Sequence, residues 1–253
     1  MAVDLSIPWT TSRFASFDLE TTGTDTDNDR IIEVGIVIFD NGEIVQRYQQ
    51  LVDPERELPD IIVEVTGIKP EDLVGKPKFA EVAETVMELL RDTLLLAYNH
   101  EFDTAVLSSE LARIGKPEEL CPCLDPFPFV YEHFRETKLT RNAKLTTISE
   151  YLEIPLEAAH RADHDAEAAG RVLLELPNHV VLPEKTKDFL QIQKALLQAV
   201  TEKFNRFRRN RGNGRALNSE QILIELGAAY LYGDEADPVR ALFSRIPDVR
   251  DIA

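Results

Sequence analysis

The run IIEVGIVIFD (Ile31–Asp40), stopped by Asn41-Gly42, narrows the fold more than any other stretch of the chain. β-Branched and aromatic residues dominate it, which is the composition of a strand. Asn-Gly after such a run is the strongest short hairpin signal, because both residues tolerate the positive φ of a tight two-residue turn. Glu43–Val52 then reads as the return strand, closed by Asp53-Pro54. Arg13–Phe17 is a partly apolar stretch ending at Asp18. The opening is therefore a β-meander of three strands.

Beyond the meander the periodicity changes. Phe79, Val82, Val86, Leu89 and Leu90 recur at helical spacing within Lys78–Arg91. Thr93–Tyr98 (TLLLAY) is a short continuous apolar run, the mark of a buried strand. Glu101–Ile114 returns to helical spacing and stops at Gly115. Cys121–Leu124 predicts a last strand, followed by a proline-broken helical stretch, and Leu145–Leu152 and Asp163–Leu176 predict two closing helices. Strands that alternate with helices after a meander define an α/β fold. Pro177 and Pro183 bracket a connector, beyond which Lys185–Arg209 carries Phe189, Ile192, Leu196, Val200, Phe204 and Phe207 at spacings of three and four. That is a long amphipathic helix. A second helix is expected from Asn218 or Ser219 to Tyr232, and a short third one from Pro238. The expected division is 1–178 for the α/β domain and 179–253 for a helical extension.

Charge is distributed unevenly. Residues 1–178 hold 16 Lys and Arg against 35 Asp and Glu, whereas residues 179–253 hold 12 against 10. So acidic a domain repels polyanions at long range, which argues against a tight duplex binder. Near the end of the tail helix, Lys203, Arg206, Arg208, Arg209, Arg211 and Arg215 interleave with Phe204 and Phe207. Such a pattern grips a single strand by phosphate contacts and stacking, or serves the buried face of a helix. No apolar run approaches the roughly 20 residues that span a bilayer, and Met1–Asp4 lacks the start of a secretory leader. With only Cys121 and Cys123 present, a cytoplasmic location is expected.

Three acidic clusters carry the chemistry: FDLETTG (Phe17–Gly23), NHEFD (Asn99–Asp103) and HRADHD (His160–Asp165). Asp18 and Glu20 sit two apart, and on a strand that spacing puts both carboxylates on one face. Such a pair repels unless a cation lies between. Asp103 opens a helix just after the TLLLAY strand, at the carboxyl end of the sheet where α/β sites form. Asp165 falls in the first turn of the last helix of the domain, with His160 in the loop before it. An imidazole there suits proton abstraction at neutral pH, although Asp163 and His164 compete for the same roles. Four carboxylates and a histidine on separate elements suit a pair of divalent cations and a general base, as phosphodiester hydrolysis by water requires.

In this order the clusters resemble the three motifs of the DEDDh (DnaQ-like) 3′–5′ exonucleases, the family of the DNA polymerase III epsilon subunit and ribonuclease T. The resemblance spans Arg13–Leu176 and extends to VTGIKPEDL and LTTISEYLEIP. It implies an RNase H-like fold, with a five-stranded mixed sheet flanked by helices. It further implies Asp18, Glu20, Asp103 and Asp165 as ligands of two Mg²⁺ or Mn²⁺ ions and His160 as the base. Thr21, Thr22, Gly23 and Phe102 would contact the terminal nucleotide. The implied activity is removal of nucleoside 5′-monophosphates from nucleic-acid 3′ ends, with single-stranded DNA favoured and RNA as the alternative. A non-catalytic binding module on the same fold should have lost a ligand, and none is lost here. Thr66 stands where the family often has histidine, and Asp125-Pro126 where Asp-Thr is more usual; both bear on substrate contacts. The C-terminal helices are left to a polymerase or other protein partner, or to self-association.

Overall fold

The computed structural model describes residues 3–156 and 159–210, without the side chains of Phe204 and of residues 206–210. Five strands form one mixed sheet: β1 (Phe14–Thr21), β2 (Ile31–Asp40), β3 (Glu43–Leu51), β4 (Leu94–Leu96) and β5 (Cys123–Leu124), in the order β3-β2-β1-β4-β5. β1 pairs antiparallel with β2, and β2 with β3, as the hairpin at Asn41-Gly42 dictates. β1 pairs parallel with β4, and β4 with β5. This is the five-stranded mixed sheet of the RNase H-like fold. One boundary differs from the expectation that β1 ends at Asp18. β2 is long enough to keep pairing, so Glu20 lies opposite Glu33 and the strand continues to Thr21 through an irregularity in register.

The helices are α1 (Asp60–Thr66), α2 (Pro70–Leu73), α3 (Phe79–Leu90), α4 (Glu101–Arg113), α5 (Phe127–Val130), α6 (Leu145–Tyr151), α7 (Ala162–Glu175) and α8 (Thr186–Asn210). α5 runs into a wider π-type turn over Tyr131–Arg135. α1 and α2 are too short to give a periodic signal in the sequence. Pro59 precedes α1 and Gly67 ends it with φ 69°, and they bury Ile62, Ile68 and Leu73 in a small cluster with Ile32 of β2.

Alternation along β1 divides the interior in two. Ala15, Phe17 and Leu19 face α3 and α4, packing with Val82, Val86, Val106 and Leu107. Phe14, Ser16, Asp18 and Glu20 face the other way, toward α7. Phe14 stacks on Phe39 at 4.9 Å there, and Ser16 Oγ donates to the Ala166 carbonyl at 2.6 Å. α7 can lie so close because its inner face is Ala162, Ala166, Ala169 and Gly170. A Cβ on Gly170 would lie 2.3 Å from the Phe39 ring, and one on Gly35 would lie 2.1 Å from the Ala162 backbone carbon.

α8 shares this second core. Phe189 is fully buried between Trp9 and Phe129, with ring centroids 5.5 and 4.6 Å away. The Gln193 side chain accepts from Asp125 N at 2.8 Å and donates to the Cys123 carbonyl at 3.1 Å. The division expected at 178/179 thus falls near the end of α7 but does not coincide with a break in the core. The helices expected from Asn218 and Pro238, together with Arg211 and Arg215, lie outside the described residues, as do the side chains of Arg206, Arg208 and Arg209. Lys203 pairs with Glu132 and Glu136 at 3.2 and 3.1 Å.

Gly35→Ala forces the start of α7 off the sheet and should lower stability by about 3 kcal/mol. Val45→Thr on the exposed face of β3 should stay within about 0.5 kcal/mol. Urea denaturation followed by circular dichroism compares the two. Equal stabilities would contradict the close approach of α7 to β2.

Candidate active site

A cavity opens at the carboxyl end of β1, and three elements place acids in it: β1 (Asp18, Glu20), α4 (Asp103) and α7 (Asp165), together with His160 from the loop before α7. Glu20, Asp103 and Asp165 are buried. One ligand atom each from Glu20, His160 and Asp165 lie within 4.8 Å of one another. Two backbone contacts aim the flanking acids. Asp103 Oδ1 accepts from Leu19 N at 3.0 Å, stitching α4 to β1. Asp165 Oδ2 accepts from His160 N at 2.8 Å, stitching the loop to α7.

Crowded buried carboxylates resist ionisation. Burial, then the charges of Asp103, Asp165 and Glu20, push Asp18 well above the ordinary range. Burial, then Asp165 and Glu33, do the same to Glu20. Burial raises Asp103 to about 8 although the Leu19 amide partly opposes it, and raises Asp165 to about 7 against the His160 amide. His160 moves the other way: burial, then the charge of Lys144, hold its imidazole below the usual value and so neutral at neutral pH. An oxygen-rich, mutually repelling donor set fits hard divalent cations, whose charge would relieve the repulsion.

The remaining wall mixes apolar residues, among them Ile62, Phe102 and Leu145, with Thr66, Asn99 and Thr146, and Lys144 is the only lysine or arginine among the described lining residues. Thr21 and Phe102 line the cavity, whereas Thr22 and Gly23 stand just outside the lining. Thr22 Oγ1 donates to Asp29 at 2.8 Å and accepts from Arg30 N at 3.0 Å, closing the loop between β1 and β2. A Cβ on Gly23 would lie 2.3 Å from the Asp29 carboxylate. Asp163 and His164 face each other at 3.9 Å outside the lining.

Two acids that support the site were not singled out from the sequence as site residues. Asp125, fully buried after β5, accepts from the backbone N of Asn99, His100 and Phe127 at 3.0, 3.3 and 2.8 Å. It also contacts His100 Nδ1 at 3.2 Å. Burial lowers the His100 imidazole, but the Asp125 carboxylate outweighs it and leaves a net rise. Asn99, with φ 65°, is thereby held in the left-handed turn that delivers Asp103. Glu33, the other acid, is also fully buried and lies beside Glu20 on β2. A charged residue inside an apolar strand is the one sequence sign that could have exposed it.

A mixed sheet with this acidic cavity defines a class, and the comparisons with known proteins agree with it. The exonuclease family model (RNase_T) matches residues 16–173, most of the chain. The chain belongs to this family. It is 34% identical over 164 residues to the DNA polymerase III epsilon subunit of Treponema pallidum, covering 64% of this chain and 74% of that protein. It is equally similar to the PolC-type DNA polymerase III of Halalkalibacterium halodurans, 34% over 170 residues, covering 66% of this chain but only 11% of that protein. Similarity to the 3′-5′ exonuclease DinG of Bacillus subtilis is 33% over 168 residues, covering 65% of this chain and 17% of that protein. Among solved structures, exonuclease I shares the fold with a TM-score of 0.60 at 20% identity, over 66% of this chain and 41% of that one. The chain accordingly carries a DnaQ-like exonuclease domain, and it spans only about a tenth of the length of its PolC-type relatives.

The raised carboxylates set the pH dependence of the metal-free protein. Their folded values exceed the unfolded ones, near 4, so the folded state holds more protons between about pH 4 and 8. The stabilisation is complete at low pH and is lost as pH rises through about 7 and 8, the values of Asp165 and Asp103. In EDTA the melting temperature should fall from pH 5.5 to 8.5, and added Mg²⁺ or Mn²⁺ should raise it more at pH 8.5. Asp18→Asn with Asp103→Asn should flatten the slope, which separates this effect from general repulsion. A melting temperature that rises with pH would contradict the assignment.

Proposed function

We propose that the chain removes nucleotides one at a time from the 3′ end of single-stranded DNA, releasing nucleoside 5′-monophosphates. The observation that carries this reading is the convergence of Asp18, Glu20, Asp103, Asp165 and His160 on one cavity with a partly apolar wall. Support for DNA comes from relatives named as parts of DNA polymerase III and from exonuclease I, whose solved structures include a complex with a dT13 oligonucleotide.

The four carboxylates would hold two Mg²⁺ or Mn²⁺ ions, with waters filling the remaining positions. Such ions, when bound, stabilise the charge that develops on the attacking and leaving oxygens of an in-line displacement. His160, neutral and facing Glu20 and Asp165, accepts the proton of the attacking water on a ring nitrogen. Water oxygen bonds to phosphorus, the bond from phosphorus to the 3′ oxygen breaks, and the shortened strand leaves with a 3′-hydroxyl. Ile62 and Phe102 receive the terminal base, and Thr21 with the neighbouring Thr22-Gly23 turn shapes the pocket around its sugar. Lys144 adds the positive charge that a polyanion meets within an acidic wall.

In this reading residues 1–178 are the exonuclease domain and 179–253 an extension whose first helix is built into it. The extension serves a polymerase or another protein partner, or self-association. Among the described residues no helix is long and apolar enough to cross a membrane, and we place the activity in the cytoplasm.

The test is degradation of 3′- and 5′-labelled single-stranded DNA, duplex DNA and RNA by the purified full chain, with Mg²⁺, with Mn²⁺ and with EDTA. Single-stranded DNA should shorten stepwise from its 3′ end, and EDTA or Asp18→Ala should stop it. His160→Ala should slow it by about 10²–10⁴, while His164→Ala stays near wild type. Faster loss from RNA would reassign the substrate. No metal-dependent loss from any strand would sink the proposal.

A further inference from the structure

Glu33 carries more hydrogen bonds than any acid in the cavity, yet it is not among the lining residues. Its carboxylate accepts from Arg161 Nε at 3.2 Å to each oxygen, from Arg161 Nη2 at 2.7 Å, from Ala162 N at 3.0 Å and from Gln49 Nε2 at 2.7 Å. A fully buried carboxylate is tolerated only when its lone pairs are met in this way, and the guanidinium fork meets them from a fixed direction. The residues it grips directly follow His160.

His160 has φ 65°, a left-handed conformation that a residue with a Cβ keeps only when its surroundings over-determine it. Three anchors do so. The Glu33 carboxylate holds Arg161 and Ala162. Gly35, two residues along β2 on the same face, leaves the gap into which the Ala162 backbone fits. Asp165 Oδ2 accepts the His160 amide at 2.8 Å. Without the first anchor, only the Gly35 gap and the Asp165 contact oppose relaxation of His160 toward an ordinary right-handed or extended backbone, which would turn the ring away from Glu20 and Asp165.

We infer that Glu33 and Arg161 are positioning residues for the exonuclease reaction: their fork-on-carboxylate pair clamps the His160 loop so that the imidazole faces Glu20 and Asp165. This rests on the reading of His160 as the base. The competing role for Arg161 is purely electrostatic, since its charge also opposes the rise of Glu20. Fork geometry separates the two, because lysine supplies the charge but not two parallel N–H donors.

Arg161 is the residue to vary, its side chain being 38% exposed while Glu33 is enclosed. In the full chain, Arg161→Met should lower kcat on single-stranded DNA by about tenfold to a hundredfold and leave KM within about twofold. Arg161→Lys should recover little. Hydrogen exchange at the His160 and Ala162 amides, followed by ¹H–¹⁵N NMR, should quicken in both variants. Should Arg161→Met unfold because Glu33 is left buried and unpaired, Glu33→Gln with Arg161→Met removes that charge, and the same loss of kcat is expected. A wild-type kcat in a folded variant, full recovery by Arg161→Lys, or unchanged exchange at His160 would each overturn the clamp. If the wild-type chain shortens no 3′ end, the functional reading fails by itself, and the exchange measurement still decides whether the loop is clamped.

Discussion

The approach of α7 to β1 and β2 is the constraint on which the rest depends. Helices pack on sheets at a distance set by their side chains, and here both partners are pared to almost nothing. Alanine and glycine line the helix face, Gly35 opens the strand opposite, and a Ser16 hydroxyl bonds directly to the Ala166 carbonyl. Larger residues at those positions would lift the first turn of α7 by ångströms. Asp165 would then leave Asp18 and Glu20, and the proposed chemistry requires these carboxylates to lie close together. Core packing and site geometry are one problem in this region.

The site is a place where folding and function pull apart. Each of the four acids is disfavoured as an anion by burial and by at least one neighbour, and the fold tolerates the cluster through partial offsets: the Leu19 amide at Asp103, the His160 amide at Asp165, and Arg161 near Glu20. Those offsets come from groups that also fix geometry. The amide that stabilises a carboxylate is the amide that aims it, so relief of repulsion and orientation arise from the same contacts.

Much of this was legible in the chain, and the reasons for the exceptions are physical. The meander, α3, α7 and the long α8 follow from strong periodicity and from Asn41-Gly42, and α4 from weaker helical spacing stopped at Gly115, signals that act over a few residues. The pairing of Asp18 with Glu20 follows from strand alternation alone. α1 and α2 were missed because helices of seven and four residues do not complete an amphipathic pattern, and their only marks are Pro59, Gly67 and Pro70. Strand alternation carried β1 past Asp18, but no local residue could reveal that β2 would keep pairing opposite it. Glu33 and Asp125 escaped for a deeper reason. A carboxylate's partners are set by tertiary contact, Arg161 lying 128 positions from Glu33 and His100 25 positions from Asp125, so apart from the apolar strand around Glu33 their neighbourhood does not distinguish them from solvated acids.

The same distance in sequence explains what α8 adds. Gln193 meets both the amide of Asp125 and the carbonyl of Cys123, so the last described helix closes a chain of bonds that runs through Asp125 to Asn99 and His100. That chain ends in the turn that sends Asp103 into the cavity. Phe189 and Leu197 anchor the helix from the apolar side of the same core. The family match ends at residue 173, but that boundary does not divide the forces. The turn before Asp103 takes its shape from a residue beyond that boundary, Gln193, through Asp125, and a truncation there would cut into the hydrogen-bonded frame of the cavity.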